Sequence, residues 1–205
     1  MTKAPPAIII IVGGAFVNYD IYKYARDMAW RFLIDNNISN LPVNLSKICK
    51  NNEYNLFLDT NHSFLAENDR GATFFKNGQW QIVLNTCDSI QVRRYTLAHE
   101  LGHIFLNHPL HDGKYGRSFG VQRTPKTPEE YQAERFAIDI LAPACVLWGL
   151  NLHTAEEISK ICNISMQSAK IRAERMKLLY KRNTFLNHPL ERQVFNQFKG
   201  FIENS

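Results

Sequence analysis

The chain has 205 residues, enough for one sizeable hydrophobic core and a small appended unit. Its hydrophobic content of 45% and charged content of 21% are those of an ordinary globular protein, which excludes a chain too polar to form a core. The net charge is +5, and residues 154–205 carry nine Lys or Arg against five Glu. This mild bias is compatible with an acidic partner or nucleic acid, although such a bias is usually a solvated face.

The N-terminal segment "AIIIIVGGAFV", Ala7 to Val17, is apolar and allows two interpretations. Its length fits the hydrophobic region of a signal peptide, and it equally fits a buried strand before a Gly-Gly turn. It is too short to span a membrane, which takes about 20 residues. The four cysteines are widely spaced, which predicts reduced thiols. The rest of the chain favours a cytoplasmic protein.

The hydrophobic pattern predicts helices around a few short strands. A first amphipathic helix, residues 20–37, offers apolar side chains for packing: Tyr24, Met28, Trp30, Phe32 and Leu33. A short helix at 44–50 precedes three strands, "NLFLD", "GATFF" and "QWQIVLN". Residues 76–78, "KNG", predict a hairpin turn between the last two strands. Residues 109–126 contain three glycines and are predicted to form a loop over a site.

The later helices are predicted from their capping residues. Four residues of the types that cap helix N-termini each precede a stretch in which apolar residues recur at helical spacing: Ser89, Thr127, Thr154 and Ser165. Pro128 suits the first position of a helix, and Pro143 ends or interrupts the same helix. Asn163 marks a turn between two short helices, which gives a helix-turn-helix-like pattern. A last helix is predicted at about 190–202.

The stretch "RRYTLAHELGHIFLNH" carries the order H-E-x-x-H at His99, Glu100 and His103. On a helix, His103 lies about 40° from His99, so both imidazoles can reach one tetrahedral zinc ion. Glu100 points beside that ion, where it suits a base that takes a proton from a metal-bound water. The opposite face is apolar, and Gly102 leaves room between the two faces. The stretch therefore predicts a metal site with a base.

A catalytic zinc site needs a third protein ligand, and the sequence offers several. Glu130 and Glu134 lie one turn apart on the helix that starts at Pro128, on a face with small alanines that would permit close helix packing. That arrangement lets Glu130 bind the metal and Glu134 hydrogen-bond a ligand histidine. In the other interpretation Glu130 only caps its helix and Glu134 is solvated. Glu129 is the main rival ligand, and His111 in the predicted loop is a weaker alternative. His108 is predicted to be a surface or helix-dipole histidine, because it falls opposite His99 on the helical wheel.

Two motifs resemble the ImmA/IrrE family of zinc-dependent metallopeptidases. The first is "QIVLN" followed by "RRYTLAHELGHIFLNH", and the second is "EYQAERFAIDILAP", Glu130 to Pro143. The resemblance covers roughly residues 41–176. It implies that His99 and His103 bind Zn²⁺, that Glu100 is the general base and that Glu130 is the third ligand.

The sequence departs from the family pattern at three positions. Gln132 stands where many members have a second glutamate, Glu134 stands where Asn or Asp is usual, and Ala142 replaces a methionine. Because glutamine is a poor metal ligand, the first departure favours Glu130 as the ligand. The second leaves the role of Glu134 open.

The resemblance implies an α+β fold with a zincin-like metallopeptidase core, in which a small sheet packs on the H-E-x-x-H helix. The expected organisation is an apolar segment at 1–18, the metallopeptidase domain at 19–150 and a helical, helix-turn-helix-like region at 151–205. Family members typically cleave a helix-turn-helix repressor encoded nearby and so regulate transcription, often on mobile elements. A membrane partner is not expected.

The candidates for a helper that stabilises the oxyanion are Tyr115, His111 and Tyr131. The strand "QIVLN" is expected to offer its edge to an extended substrate. A DNA-binding regulator with a structural or sensory metal site is an alternative that residues 154–176 raise without favouring, and a non-catalytic toxin–antitoxin partner is another.

Overall fold

The protein is a small mixed sheet packed against helices. The computed structural model describes residues 9–12, 15–110, 114–118 and 127–205. The described strands are β1 (Ile9–Val12), β2 (Ala15–Asn18), β3 (Asn55–Asp59), β4 (Asp69–Lys76), β5 (Gln79–Asn85) and β6 (Lys114–Ser118). The described helices are α1 (Tyr19–Asp35), α2 (Leu45–Asn51), α3 (Ile90–Phe105), α4 (Pro128–Leu141), α5 (Ala144–Gly149), α6 (Ala155–Cys162), α7 (Met166–Arg182), α8 (Pro189–Gln197) and α9 (Lys199–Glu203). The predicted α+β class is confirmed.

The apolar N-terminal segment contributes two strands. β1 and β2 pair antiparallel, with Ile9 opposite Asn18 and Val12 opposite Ala15. The two glycines of the predicted turn lie outside the described residues. Among the described helices, none combines the length and apolar character needed to cross a bilayer. All four cysteines are free thiols.

The larger sheet has the order β3-β5-β4-β6. β5 pairs parallel with β3 and antiparallel with β4, and the turn between β4 and β5 has positive φ at Asn77 and Gly78, as the "KNG" signal predicts. The expectation that "QIVLN" offers an edge to a substrate is wrong, because β5 lies inside the sheet with a partner on each side. Its interior position also explains why Ile82, Val83 and Leu84 are buried.

The predicted loop at 109–126 contains a strand. Residues 114–118, "KYGRS", form β6, which pairs antiparallel with β4 and places Tyr115 opposite Thr73. The segment lacks the alternating apolar pattern of a half-buried strand, so local sequence did not reveal it. Its strand conformation comes from pairing with β4, a contact between distant parts of the chain.

The predicted helix starts are confirmed. The four predicted N-cap side chains each accept a backbone N–H in the first turn: Ser89, Thr127, Thr154 and Ser165. Two details of the prediction are wrong. The C-terminal helix is divided at Phe198 into α8 and α9, and Tyr24 on α1 is 46% exposed rather than packed. Phe198, the residue between the two helices, is fully buried, so its ring packs in the core.

The C-terminal helices share the hydrophobic core of the rest of the protein and are joined to it by a buried ion pair. One cluster of buried side chains includes Leu33 of α1, Leu101 of α3, Ile140 of α4 and Met176 of α7. Arg172 of α7 is 1% exposed.

The Arg172 guanidinium donates from Nη1 to Asp139 Oδ1 on α4 at 3.1 Å and also donates to the carbonyl of Ala142. Asp139 also pairs with Arg135, one turn earlier on α4. The charge is therefore buried with partners from α4.

Replacing Arg172 with Met should lower the free energy of unfolding by about 3 kcal/mol, because it leaves the buried Asp139 with one cation fewer. Equilibrium unfolding in urea measures this. The control is Lys177→Met on the same helix, which removes an exposed pair with Glu174 and should change stability little. Equal effects of the two substitutions would show that the buried pair does not anchor α7.

Candidate metal centre

The first half of the site lies on α3. Ser89 accepts the backbone N–H of Val92 and starts the helix, which then packs on β4, β5 and β6. His99, Glu100 and His103 are 1%, 0% and 4% exposed, so this polar face of the helix is buried within the protein. Buried ionisable groups gathered in one place are typical of functional sites.

The second half lies on α4, which crosses α3 at very short range. A Cβ added at Gly102 would lie 3.1 Å from Phe136 Cδ1 and 3.2 Å from Ala133 Cα. Ala133 and Ala137 are both fully buried. Small residues on both helices therefore permit the close approach that the alanines of α4 predicted.

This approach brings Glu130 to the two histidines. Its Oε2 lies 3.3 Å from His99 Nε2, and its Oε1 lies 3.3 Å from His103 Nε2. The two Nε2 atoms are 3.0 Å apart. Donor atoms of a tetrahedral zinc site with bonds of about 2.0–2.1 Å are separated by about 3.3 Å, so the three groups fit one such ion.

Among the described residues, His99, His103 and Glu130 form the group of side chains that can hold a metal ion, with donor atoms within 4.8 Å of one another. Glu129 and Glu134 are half-buried on α4 and are not part of this group. The geometry thus selects Glu130 from the glutamates that the sequence left as rivals.

The position of Glu130 follows from how α4 begins. Thr127 is the N-cap and accepts the backbone N–H of Glu130. The Glu130 carboxylate faces the histidines. Burial alone would raise the pKa of this carboxyl, but the hydrogen bonds and positive charge offered by His103 and His99 outweigh burial and hold the pKa well below its usual range. The group is therefore an anion, the form in which a carboxylate can bind a metal.

His108 is part of the same cluster, which the sequence prediction missed. Its Nδ1 lies 2.9 Å from His103 Nδ1, and its Nε2 lies 2.8 Å from Oε1 of Gln132 on α4. His108 is 8% exposed, so its assignment as a surface histidine is wrong. Burial lowers its pKa, and the hydrogen bond to Gln132 offsets this only in part.

The helical wheel failed for His108 because the helix ends before it. Asn107 adopts a left-handed conformation with φ of 54°. The N–H of Asn107 bonds to the carbonyl of Ile104, and the N–H of His108 bonds to the carbonyl of His103. This pair of bonds is a Schellman motif, which folds the chain back over the last helical turn. Asn107 directly after the apolar residues of α3 was the signal that could have predicted it.

The described structure does not test the three candidate oxyanion helpers. Tyr115 lies on β6, and Tyr131 is half-buried on α4 next to Glu130. His111 lies outside the described residues. Their roles stay predictions.

Comparison with known proteins bears on the function of this site. Residues 57–174 match the family model of the IrrE N-terminal-like domain, Peptidase_M78. The match runs from β3 into α7 and covers more than half of the chain. The chain belongs to this peptidase family. The M78 region contains α3 and α4 entire, and with them every residue of the metal group.

A transcriptional regulator of Mycobacterium tuberculosis is a solved structure to which this M78 chain is similar, with a TM-score of 0.48 and 11% sequence identity. The similarity covers 84% of this chain and 52% of the regulator, so the chain spans about half of the regulator's length. A search among curated proteins found no match.

Replacing Gly102 with Ala should separate α3 from α4, because the new methyl group meets the backbone of Ala133. We expect a loss of about 1–3 kcal/mol in stability from overpacking. Affinity for Zn²⁺, measured by chelator competition, should fall with it. Gly200→Ala is the control, since an added Cβ there meets nothing within 4 Å. Unchanged Zn²⁺ affinity in Gly102→Ala would contradict the importance of this close contact.

The glutamates of α4 can be separated by their metal content. Glu130→Ala should lose Zn²⁺ on dialysis, because its carboxylate is the one that lies 3.3 Å from each histidine Nε2. Glu129→Ala should retain Zn²⁺ at the wild-type level. Elemental analysis after dialysis measures both, and near-stoichiometric zinc in Glu130→Ala would move the third ligand elsewhere.

Proposed function

We propose that this M78-family protein is a zinc-dependent endopeptidase that hydrolyses a peptide bond in a protein substrate. The observation that carries the proposal is the convergence of His99, His103 and Glu130 on one point, with Glu100 next to His99 on the same helix. Membership of a peptidase family supports peptide hydrolysis as the reaction.

The donor set supports zinc as the metal. Two imidazole nitrogens and one carboxylate are the protein ligands of many catalytic zinc sites, which leave a fourth position for water or substrate. Zinc, when bound, acts as a Lewis acid that polarises a peptide carbonyl and makes water acidic near neutral pH. His99 and His103 would bind through Nε2, the atoms that face Glu130.

Glu100 is assigned the role of general base. In this assignment its carboxylate takes a proton from the attacking water as the water oxygen bonds to the peptide carbon. The same proton then passes to the peptide nitrogen as the carbon–nitrogen bond breaks, so that one carboxyl group serves both steps. Its neighbour on the helix, His99, is a ligand, which keeps the base close to the reacting atoms.

The edge of the sheet at β6 is the better candidate for an extended substrate. In the part of the chain that the structure describes, β6 pairs with a strand only through β4, and α3 packs against both of these strands. A peptide added to this edge would bond to backbone groups while lying beside the helix that carries the base.

The proposed substrate class is a helix-turn-helix transcriptional repressor encoded nearby. The resemblance of the two zinc-site motifs to the ImmA/IrrE family supports this choice. Under this proposal the protein is a cytoplasmic regulatory protease whose activity removes a repressor, rather than an enzyme of general protein breakdown.

Burial of basic side chains weakens the DNA-binding alternative. The alternative rested on α6 and α7, whose basic residues include Arg172 and Arg175. Arg172 is buried against Asp139, and Arg175 is half-buried. Lys177 is exposed but pairs with Glu174. Burial therefore withdraws Arg172 and Arg175 from phosphate contacts, whereas Lys170, Lys181 and Arg182 stay exposed on α7.

Glu100→Gln tests the proposed function. Glutamine keeps the size of the side chain and removes the base, so zinc should stay bound while cleavage of the repressor falls by about 10²–10⁴-fold. His99→Ala should lose zinc and cleavage together. Each variant is co-expressed with the neighbouring repressor, cleavage is scored on a gel, and zinc is measured in parallel.

Glu129→Gln is the matched control, because it neutralises a half-buried glutamate outside the metal group. It should cut at the wild-type rate. Cleavage by Glu100→Gln at that same rate would show that Glu100 is not the base.

A further inference from the structure

Behind His103, on the side away from Glu130, three polar side chains form a hydrogen-bonded series that we call the relay: His103, His108 and Gln132. His103 Nδ1 and His108 Nδ1 are 2.9 Å apart, and His108 Nε2 lies 2.8 Å from Gln132 Oε1. His103 and His108 are both buried, and their rings meet edge to face at a centroid distance of 4.9 Å.

The proton on each nitrogen of the relay follows from its neighbours. If His103 binds zinc through Nε2, its Nδ1 carries the proton and must be the donor of a hydrogen bond. His108 Nδ1 is then the acceptor, so the proton of this neutral imidazole is on Nε2. Gln132 Oε1 accepts the hydrogen bond from this Nε2–H. All three side chains therefore have one consistent set of donors and acceptors.

We propose that His108 and Gln132 are positioning residues that hold His103 in the tautomer and orientation needed to bind zinc. The inference rests on the proposed zinc site. Partners of this kind behind a ligand histidine usually contribute about 10–100-fold to metal affinity. Here the partner is a second histidine, which transmits the hydrogen bond to an amide on another helix.

The backbone holds His108 in place before any metal binds. The Schellman motif at Asn107 ties the His108 N–H to the carbonyl of His103, the residue whose ring it contacts. Gln132 is two residues after Glu130 on α4. The same helix therefore supplies a ligand on one side of His103 and the end of the relay on the other, so movement of α4 would disturb both contacts.

An amide suits the last position of the relay because its oxygen accepts a hydrogen bond and the group carries no charge. Gln132 supplies this amide, with its Oε1 2.8 Å from His108 Nε2. Its amide oxygen retains the acceptor that the relay needs. We therefore expect Gln132→Glu, which keeps an acceptor, to bind zinc within about threefold of wild type, and Gln132→Met, which removes it, to bind more weakly.

The decisive variant is His108→Leu, which fills the space and removes both ring nitrogens. Its affinity for Zn²⁺, measured on zinc-free protein against a chromophoric chelator, should fall by about 10–100-fold. The control is His153→Leu, an exposed histidine stacked on Tyr180, which should bind zinc as wild type does.

Melting temperatures with and without zinc separate positioning from general stability. If the relay positions His103, the rise in melting temperature on adding zinc should shrink in His108→Leu and in Gln132→Met. If the two residues only support the fold, the melting temperatures of zinc-free and zinc-loaded protein should fall equally, with unchanged zinc affinity. That result would overturn the inference.

Wild-type protein measured in the same assay keeps this inference distinct from the proposed function. Wild-type protein that binds no zinc would overturn the metal site and the relay together. Tight zinc binding by wild type and equally tight binding by His108→Leu would overturn the relay alone and leave the proposed endopeptidase intact.

Discussion

The close contact between α3 and α4 is the constraint on which the site depends. Gly102 and Ala133 bring the two backbones so near that a Cβ added at Gly102 would lie 3.2 Å from Ala133 Cα, tighter than ordinary van der Waals contact. At this distance a short carboxylate side chain reaches both histidines, and all three donor atoms face one point. Were the helices separated by a larger side chain, Glu130 could not contact both imidazoles. The candidate metal site is thus a consequence of helix packing as much as of the identity of the three side chains.

α4 joins this site to the C-terminal half of the protein. Near its start it presents Glu130 to the histidines, and near its end Asp139 binds the buried Arg172 of α7. The hydrophobic core is likewise continuous from α1 to α8. A helix held at both ends is a firm support for a ligand, because binding sites built on rigid elements keep their geometry better than those on loops. The C-terminal helices therefore support α4, and with it the candidate site, through packing.

Helix ends on asparagine are a recurring device in this chain, and one of them shapes the site. Several helices are followed by an asparagine with positive φ: Asn37, Asn107, Asn151, Asn163 and Asn183. A left-handed residue there satisfies the last carbonyl groups and reverses the chain direction. After α3 this reversal brings His108 back over His103, so a general rule of helix termination places a polar partner behind a candidate metal ligand.

The sequence by itself determined the elements whose signals are local. The H-E-x-x-H spacing placed His99, Glu100 and His103 on one helix, and capping residues such as Thr127 located helix starts correctly, because these features depend on neighbouring residues only. Tertiary structure alone decided the choice of Glu130 over Glu129, the position of His108 and the strand β6. It also placed β5 inside the sheet rather than at its edge. Each of these depends on the distance between elements far apart in sequence, which side-chain packing sets and local patterns do not encode.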